Sequence, residues 1–528
     1  MIQGYAVATV RAVEDRVRAG LPEGALMQRA ARGLAQVVRG RAGELDARSV
    51  VVLAGPGDNG GDALWAASFL AAGDPGDVHG PPAPHVAVVG VAARLHAAGL
   101  AAAREAGCPV SLVDPAAEAL DPPVVELLRS ADLVVDGLLG IGGRPGLRGA
   151  MAVVADLLAQ ERRQHGPADG SRRPFVLAVD LPSGADPAGE EVPEVALTAD
   201  ETVTFGVAKP VHLLPASAPT VGRLHVVDIG LDEELARESP VVERLEPADA
   251  AARWPVPDGA DHKYSRGVLG VVAGSDDYPG AAVLCCTAAV EAGAGMVRYL
   301  GPPRATDLVL GSCPEVVPGP GRVQAMVVGP GLDAQGGDSD REHQQVDAVR
   351  AALAEDLPLV VDAGALELLG RWLTDGHRRG APTLLTPHAG ELARLLTLLD
   401  GAGTTREQVL AAPVAHARRV AALSGCTVLL KGSTTLVVDP DPAVPVRSQA
   451  DAPPWLATAG AGDVLAGVAG VLLAAGLAPL EAGPLAALVH GAAAHRANPG
   501  GPVRALSVAH AIPSAVADVL GGSGARRG

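Results

Sequence analysis

Residues 49–64 read SVVVLAGPGDNGGDAL, an apolar run of strand length followed by a glycine-rich turn and a second apolar stretch. The β-branched residues favour a strand, and similar runs begin at His85, Asp132, Phe175 and Thr202. Ala- and Leu-rich stretches separate these runs, so the pattern predicts a parallel sheet with helices on both faces. In such sheets ligands bind beyond the carboxyl ends of the strands, where these glycine-rich turns lie.

The flanking sequence extends this pattern in both directions. Upstream, apolar residues recur at helical spacing from Gln3 to Gly40 and predict two helices. Downstream, the polar, proline-containing segment from Asp232 to Asp261 predicts a domain boundary. Beyond this boundary, a second series of predicted strands begins at Val268, Gln324, Leu359, Thr383 and Thr427. We therefore expect two α/β domains, at residues 1–232 and 245–522.

One apolar run in the second domain requires separate consideration. Residues Val464 to Leu480 are rich in Ala and Gly, contain Pro479, and fall just short of the length of a membrane-spanning helix. We expect one buried helix there, the last of the chain, beginning at Asp463.

Composition narrows the class of protein. The chain has 528 residues, too many for a single hydrophobic core, and its 48% hydrophobic and 19% charged residues are typical of a folded protein. A net charge of -18 without a long basic run argues against nucleic acid as a partner. The N-terminus lacks a signal-peptide pattern, and the five cysteines lack metal-ligand spacing. We expect a cytoplasmic protein with reduced thiols and no membrane partner.

Residues 458–467, TAGAGDVLAG, place Asp463 after a glycine turn at the start of an apolar helix. Such a turn presents backbone amides to an anion, and the positive end of the helix dipole favours binding. Asp463 could then accept the proton of an attacking hydroxyl while the amides hold a phosphoryl group. The alternative is that Asp463 only caps the helix.

Three other turns at predicted strand ends accompany this one: KGSTT from Lys431, TPHAGE containing His388, and GPGL from Gly329. Lys431 is notable because only it, Lys209 and Lys263 are lysines among 42 basic residues. A position that retains lysine indicates a site where the planar fork of arginine does not fit, with chance as the alternative. His388 taken alone is more often a structural residue.

The motifs HKYSRG, YPGAA, PEVV, VVGPGL, TPHAGE, KGSTT and GAGD occur in this order from residue 262 to 463. This set resembles the ADP- or ATP-dependent dehydratase family that repairs hydrated NADH and NADPH, which has a ribokinase-like fold. The resemblance implies that Asp463 is the base that activates the substrate hydroxyl for phosphorylation, after which loss of phosphate restores the double bond. It also implies that Mg²⁺ accompanies ADP. Two departures are Gly364, where a second aspartate is expected, and the atypical segment from Gln449 to Leu456.

The same resemblance assigns two groups of binding residues in the second domain. The residues implied for ADP or AMP are Lys431, Gly432, Ser433, Thr434, Thr435 and Gly462. The residues implied for the hydrated dinucleotide are Ala281, Gly331, His388 and Asp463.

In the first domain, the turn after residue 54 carries Asp58, Asn59 and Asp62 among glycines. Such a loop can present amides to phosphate and oxygens to a hard cation. The alternative is an ordinary strand-to-helix turn with polar caps. Two further turns, DGLLGIGGRPGLRG from Asp136 and DLPSG from Asp180, could converge with it on one crevice.

These turns, with FGVAKP at residues 205–210, resemble the NAD(P)H-hydrate epimerase family, which interconverts the R and S forms of the hydrated cofactor. The resemblance implies a Rossmann-like three-layer fold and makes Asp180 the candidate acid–base residue. Its implied potassium ligands are Asn59, Asp136 and Ser183. Its implied substrate residues are Asp58, Asn59, Gly60, Gly61, Asp62, Gly140, Ile141, Gly142, Gly143, Arg144, Pro145, Gly146 and Asp180. Asp58 and Ala63 depart from the family, in which asparagine and glycine are usual.

The leading hypothesis is a fused enzyme that epimerises NAD(P)H hydrate and dehydrates the S form, converting ADP to AMP and phosphate. We also expect a homo-oligomer. The alternative is a ribokinase-like small-molecule kinase whose N-terminal domain only binds a dinucleotide or a protein partner.

Overall fold

The computed structural model describes residues 1–73, 84–164, 174–332 and 340–522. The chain divides into two compact units. One is Gln3–Val241, and the other combines Met1–Ile2 with Val242–Gly528. Both contain parallel strands alternating with helices, so the predicted α/β class is confirmed.

Elements before residue 242 follow the alternation predicted from the apolar runs. The strands are β1 (Ile2–Gly4), β2 (Ser49–Ala54), β3 (His85–Val91), β4 (Val110–Val113), β5 (Leu133–Gly137), β6 (Phe175–Val179), β7 (Glu201–Phe205) and β8 (Arg223–Val227). The helices are α1 (Val7–Ala19), α2 (Ala25–Glu44), α3 (Asp58–Ala72), α4 (Ala97–Glu105), α5 (Pro122–Arg129), α6 (Ala150–Gln164), α7 (Pro210–Leu213), α8 (Ala218–Val221) and α9 (Asp232–Leu235). The two helices predicted between Gln3 and Gly40 are α1 and α2.

The N-terminal sheet has the order β4-β3-β2-β5-β6-β7-β8, with parallel neighbours throughout. Alternate residues of β2 enter different cores. Val50 and Val52 pack in the same cluster as residues of α1, α2 and α3, whereas Val51 and Leu53 pack with residues of α5 and α6. The unit is therefore a three-layer structure. Its strand order reverses between β2 and β5, which opens a crevice at their carboxyl ends.

Elements from residue 242 onward form the second unit. The strands are β9 (Val242–Arg244), β10 (Val268–Val272), β11 (Met296–Tyr299), β12 (Val317–Pro318), β13 (Ala325–Val328), β14 (Leu359–Val361), β15 (Thr383–Leu385), β16 (Thr427–Leu430), β17 (Thr435–Val438) and β18 (Val446–Gln449). The helices are α10 (Pro247–Arg253), α11 (Pro279–Glu291), α12 (Pro303–Ser312), α13 (Asp340–Ala354), α14 (Gly364–Thr374), α15 (Ala389–Asp400), α16 (Arg406–Ala411), α17 (Pro413–Ser424), α18 (Ala461–Ala474), α19 (Pro479–Ala497) and α20 (Ala505–Gly522). A 3₁₀ turn spans Pro454–Leu456.

The C-terminal sheet, taken from β9, has the order β9-β18-β17-β16-β15-β14-β13-β10-β11-β12. Its strands from β16 through β10 to β12 are parallel, whereas β17 pairs antiparallel with both β16 and β18. One face is covered by a core cluster that includes residues of α11, α18, α19 and α20. The strand order reverses between β10 and β13, so the turns after β13 to β16 follow this switch point along one edge of the sheet.

The prediction of one last helix from Asp463 to Leu480 was wrong. Helix α18 ends at Ala474, and Gly476 takes a φ of 96°, in the left-handed region that favours glycine. Pro479 then begins α19, because proline lacks an amide hydrogen and suits the first turn of a helix. The predicted burial is confirmed, since every residue of α18 from Val464 to Ala474 is buried.

Across the described ranges, no helix is both long and apolar enough to cross a membrane.

Candidate functional site

The turns after β2, β5 and β6 meet in the N-terminal unit, where the predicted site residues separate into two groups. One group lines a cavity of about 520 Å³: Asp58, Asn59, Asp62, Gly140, Ile141, Gly142, Gly143 and Asp180. The other group is not among the lining residues: Gly60, Gly61, Arg144, Pro145 and Gly146. Gly60 instead permits close packing, because a Cβ there would lie 2.2 Å from the carbonyl oxygen of Gly55. The structure thus brings the carboxylates and amides together, and their role in binding stays a prediction.

Asp180 lies directly after β6, in an unusual backbone conformation for a residue with a side chain. Its φ is 65°, and such strain persists only where the surrounding structure holds it in place. Its amide donates to the carbonyl of Val203 at 2.7 Å, and its carbonyl oxygen lies 2.7 Å from Nε2 of His212. These contacts fix the backbone of a buried carboxylate at the edge of the cavity.

Sequence reasoning missed the partner of that carboxylate. Nζ of Lys209 donates to Oδ1 of Asp180 at 2.7 Å and to Oγ1 of Thr204 at 2.8 Å, and its side chain is 1% exposed. Burial would raise the pKa of Asp180, but the Lys209 ammonium outweighs it, with help from Thr204, and the net pKa is lowered. Asp180 is therefore held as a carboxylate. The rarity of lysine was the signal that could have identified Lys209.

Of the predicted potassium ligands, Asn59 lines the cavity, whereas Asp136 and Ser183 are buried and are not among its lining residues. Oγ of Ser183 donates to Oδ1 of Asp136 at 2.6 Å, and the Ser183 amide donates to Oδ2 at 2.8 Å. Burial raises the pKa of Asp136 to about 6 although these hydrogen bonds lower it. Asn59 lies nearby, because a Cβ on Gly140 would be 3.2 Å from its Oδ1. Nδ2 of Asn59 is buried and has no hydrogen-bond partner in the part of the chain described.

The two departures from the epimerase family lie in different environments. Ala63 is fully buried in the core, where its Cβ would lie 2.4 Å from a Cβ on Gly137, so it does not face the cavity. Asp58 is exposed at the first position of α3, where the helix dipole favours a carboxylate. Only Asp58 changes the charge of the crevice.

Helix α1 supplies a wall of this cavity through Arg11, Glu14, Asp15 and Arg18. Charged residues on one side of an amphipathic helix are typical of a solvent-exposed face. The sequence therefore gave no indication that they would face a site.

In the C-terminal unit, Asp463 lies in the first turn of α18 rather than at its cap. The N-cap is Gly460, whose φ of 86° lies in the left-handed region, and Asp463 is the third residue of the helix. The capping alternative is therefore excluded. Burial and the carboxylates of Asp362 and Glu391 raise the pKa of Asp463 to about 7, against the opposing charge of Lys431. A carboxylate with this pKa can accept a proton near neutral pH.

Lys431 occupies the centre of the charged cluster beside Asp463. Its Nζ donates to Oδ1 of Asp362 at 2.7 Å and lies 3.7 Å from Oε2 of Glu391. Burial lowers the pKa of Lys431, but these two carboxylates raise it further, so the ammonium stays charged. A Cβ on Gly462 would lie 3.3 Å from Nζ, which places the ammonium against the glycine turn.

The predicted nucleotide loop is the turn between the antiparallel strands β16 and β17. Gly432 and Ser433 are exposed at its tip, Thr434 is buried, and Thr435 begins β17. The loop is anchored at Lys431, whose amide donates to the carbonyl of Pro387 at 2.8 Å.

Ala281 and Gly331, which are both predicted to bind the dinucleotide, lie in contact with each other. A Cβ on Gly331 would lie 2.5 Å from that of Ala281, and Gly331 has a φ of 66°. The same helix α11 approaches the glycine turn before α18, because a Cβ on Gly460 would lie 2.4 Å from Cδ1 of Leu284. The turn after β13 and the start of α18 therefore flank one helix.

His388 has the structural role that is the more common one for a single histidine. Its Nδ1 accepts hydrogen bonds from the amides of Gly390 and Glu391 at the start of α15. It also forms an isolated parallel bridge with Lys431, so it adjoins the charged cluster. Its side chain is 54% exposed, and its Nε2 lies 3.5 Å from Oε1 of Glu391.

Asp362 was not predicted as a site residue, although the nearby Gly364 departs from the pattern of the dehydratase family. Asp362 is 1% exposed and accepts hydrogen bonds from Lys431 and from Oγ1 of Thr386. Ala363 has a φ of 45°, so the backbone is strained at this strand end. Asp362 is therefore the carboxylate that positions the Lys431 ammonium in the charged cluster.

Within the described ranges, no group of three or more His, Cys, Asp and Glu side chains is arranged to hold a metal ion. Any divalent cation here would depend on oxygen atoms of a ligand as well as on the protein.

Comparison with known proteins covers both units. A family model described as NAD(P)H-hydrate dehydratase matches residues 269–513, and one described as YjeF-related protein N-terminus matches residues 23–211. The chain is 44% identical over 492 residues to the bifunctional NAD(P)H-hydrate repair enzyme Nnr of Mycobacterium tuberculosis, covering 90% of each chain. It is 42% identical over 511 residues to the enzyme of that name from Mycobacterium leprae, covering 94% of each.

Among solved structures, the chain is similar to the ADP/ATP-dependent NAD(P)H-hydrate dehydratase from Bacillus subtilis co-crystallized with ATP/Mg²⁺. The two are 25% identical with a TM-score of 0.44, and the match covers 52% of this chain and 97% of that one.

Proposed function

Because the chain belongs to the family of bifunctional NAD(P)H-hydrate repair enzymes, we propose that each of its two activities resides in a separate segment. Residues 1–232 carry the epimerase, with Asp180 at its centre, and residues 245–522 carry the dehydratase, with Asp463 at its centre. The chain is a lyase and an isomerase that repairs hydrated nicotinamide cofactors. The kinase alternative is not supported, since the model matching its C-terminal half is described as a dehydratase.

The proposed dehydratase chemistry rests on one observation above others: Asp463 has a pKa of about 7 and adjoins a glycine turn and the Lys431 ammonium. Asp463 accepts the proton of the substrate hydroxyl as the hydroxyl oxygen attacks the terminal phosphorus of ADP, and AMP leaves. The amides of the turn stabilise the transferring phosphoryl group. Phosphate then departs from the substrate as the adjacent carbon loses a proton, which restores the double bond.

The choice of ADP as phosphate donor is part of this proposal, as are the binding residues. Lys431 to Thr435 and Gly462 hold the nucleotide, while Ala281, Gly331 and His388 contact the hydrated dinucleotide. The contact between Ala281 and Gly331 supports the second group, and the bridge between His388 and Lys431 brings the two groups next to each other. Lys431, Gly331 and His388 follow strands β16, β13 and β15, whereas Gly462 and Ala281 lie in the first turns of α18 and α11.

We propose that Mg²⁺ binds with the nucleotide in the C-terminal unit. Asp362 and Glu391 present hard carboxylate oxygens of the kind that Mg²⁺ prefers. The phosphate oxygens of ADP would supply the other ligands of the ion. When bound, the ion would neutralise charge on the phosphates. The residues present therefore fit this cofactor.

We also propose K⁺ for the N-terminal unit, held by Asn59, Asp136 and Ser183. Asp136 is fully buried, and its hydrogen bonds come from a hydroxyl and amides rather than from a cation. Oδ1 of Asn59 is the neighbouring neutral oxygen, 3.2 Å from where a Cβ on Gly140 would lie. A monovalent cation would balance the carboxylate, so this donor set fits it.

The central test uses the full-length chain with each epimer separately. Incubation of the S epimer with ADP should restore NADH absorbance, and a phosphorylated product that persists would instead indicate a kinase. The R epimer should convert to S faster than it does spontaneously. If it does not, the N-terminal unit is a binding module.

Two substitutions assign the activities to the units. Asp463→Asn should abolish dehydration but leave epimerisation intact, and Asp180→Asn should do the reverse. Asp375→Asn, at an exposed carboxylate after α14, is the matched control and should change neither. Sedimentation of the same preparations tests the predicted homo-oligomer.

A further inference from the structure

Helix α1 contributes side chains to the epimerase cavity although the matched N-terminal family model begins only at residue 23. Among these side chains, Glu14 also lines an adjoining cavity of about 670 Å³, together with Asp62, Trp65 and Phe205. Glu14 therefore lies where the two cavities meet. The nine-tenths buried Asn59, whose Nδ2 has no partner within the described chain, indicates that the first cavity is built for a ligand.

Glu14 lacks the partners of a structural carboxylate. Its side chain is half-buried, and it makes no hydrogen bond or ion pair with any residue that the structure describes. The charged groups that act on it are Lys209, Asp180, Arg18 and Asp15. Burial raises the pKa of Glu14 even though Lys209 opposes this shift. An unpaired carboxyl group in a cavity is a common feature of acid–base sites.

The proposed epimerisation needs two acid–base groups. Addition of water to an enamine places the hydroxyl on the carbon bonded to the ring nitrogen. Loss of that hydroxyl from one face and addition of water to the other inverts this carbon. The first step needs a proton donor and the second a proton acceptor, on opposite faces of the ring. Asp180 is held ionised by Lys209, so it suits only the second role.

We propose that Glu14 is the second acid–base group of the epimerase site and acts on the face of the substrate ring opposite Asp180. This inference rests on the epimerase function proposed above. Glu14 donates its proton to the hydroxyl, the carbon–oxygen bond breaks, and water leaves as the nitrogen lone pair stabilises the cation. A second water adds to the other face and gives its proton to Asp180. One water leaves and one enters, and proton exchange with solvent returns both carboxyl groups to their starting states.

Asp62, which lines both cavities, is the competing candidate for the proton donor. Its Oδ1 is closed off from solvent without a partner in the described chain, and burial with the charges of Asp180 and Asp58 raises its pKa well above the ordinary range. Loss of its proton would leave a buried carboxylate without a partner, which is costly. It can donate a hydrogen bond to the substrate, but it releases a proton poorly.

The test follows inversion of the pure R epimer by the full-length chain in H₂¹⁸O. Wild-type enzyme should place ¹⁸O in the S product at the rate of inversion. Glu14→Gln should slow both inversion and ¹⁸O incorporation by about 10²- to 10⁴-fold, the usual contribution of general acid–base catalysis, with little change in KM. Glu14→Asp should recover part of the rate. Glu105→Gln, at an exposed carboxylate on α4, is the control and should match wild type.

ADP-dependent dehydration of the S epimer and a thermal melt report whether each variant is folded. Inversion by Glu14→Gln at the wild-type rate would overturn the proposal. So would an S product that forms without ¹⁸O, or loss of inversion in Asp62→Asn but not in Glu14→Gln. If Glu14→Gln fails to fold, a folded Glu14→Ala variant that inverts at the wild-type rate in every buffer overturns it equally. A wild-type chain that does not accelerate inversion would refute the epimerase function itself, which is a separate result.

Discussion

Removal of the Lys209 ammonium tests how the N-terminal unit keeps a buried carboxylate ionised. Lys209 is 1% exposed, and its Nζ lies 2.7 Å from Oδ1 of Asp180, so Lys209→Met leaves that carboxylate buried without its cation. Breaking a buried pair by removing one partner typically destabilises a protein by about 3–5 kcal/mol. For a unit of this size that corresponds to a fall in Tm of roughly 6–20 °C.

A double variant separates loss of charge balance from loss of packing. Replacing both members of a buried pair with neutral groups is often nearly neutral, so Lys209→Met with Asp180→Asn should recover most of the lost stability. Scanning calorimetry of the full-length chain measures the Tm of each variant. The transition that ADP does not shift is assigned to the N-terminal unit, because ADP is proposed to bind the C-terminal unit. Equal Tm values for the single and double variants would show that the unpaired carboxylate carries no penalty and would refute the reasoning.

The pH dependence gives a second readout with a predicted change of sign. In wild type the pKa of Asp180 is lowered in the folded state, so its stabilisation is present above the ordinary Asp pKa of about 3.9 and is lost as pH falls below that value. In Lys209→Met, burial remains as the largest influence and raises the pKa. The single variant should therefore lose stability as pH rises through about 4, whereas wild type gains it. The same direction in both proteins would contradict the assignment.

Three further predictions concern the C-terminal unit. Because Asp463 must be ionised to act as a base and has a pKa of about 7, the dehydration rate should rise about tenfold from pH 6 to pH 8, and Asp463→Asn should show no dehydration at either pH. Lys431→Met should move the remaining rise to higher pH, since the ammonium lowers the pKa of Asp463, and a pH–rate profile shifted downward would contradict this. Gly331→Ala should raise KM for the hydrate and destabilise the chain by about 1–3 kcal/mol, because its Cβ would lie 2.5 Å from that of Ala281. Gly319→Ala, at a φ of 88° in open space, isolates the backbone strain in the same melting and kinetic assays.

The parts of the fold that sequence predicted are those encoded locally. The strand, glycine turn and helix at residues 49–64 are contiguous, so β2 and α3 follow from composition and periodicity alone. The run from Val464 to Leu480 was misread because its apolar residues continue through Gly476 and Pro479, which end one helix and begin the next. Apolar periodicity does not reveal such a break, and these two residues were the available signal.

The candidate sites were only partly predictable, because their contacts join residues that are far apart in the sequence. The glycine turns lie at strand ends, and a parallel sheet necessarily brings those ends to one edge. The sequence contained no comparable rule for Glu14, which reaches the cavity only through the docking of α1. Likewise Asp362 was not assigned to the C-terminal site, since its importance depends on a contact with Lys431, 69 residues away.

The three lysines show how composition can point to such contacts. Lys209 and Lys431 each lie 2.7 Å from the carboxylate of a buried aspartate after a central strand. Each ammonium also has a second polar neighbour, Thr204 or Glu391, within a space enclosed by other elements. A compact charge with three rotatable donors fits these positions, whereas the broad planar guanidinium needs room for its fork. Lys263 differs, because it is exposed and lies 5.2 Å from the Tyr264 ring, a geometry that arginine also satisfies. Among the 42 Lys and Arg side chains of this chain, two of the three lysines therefore lie beside a proposed site.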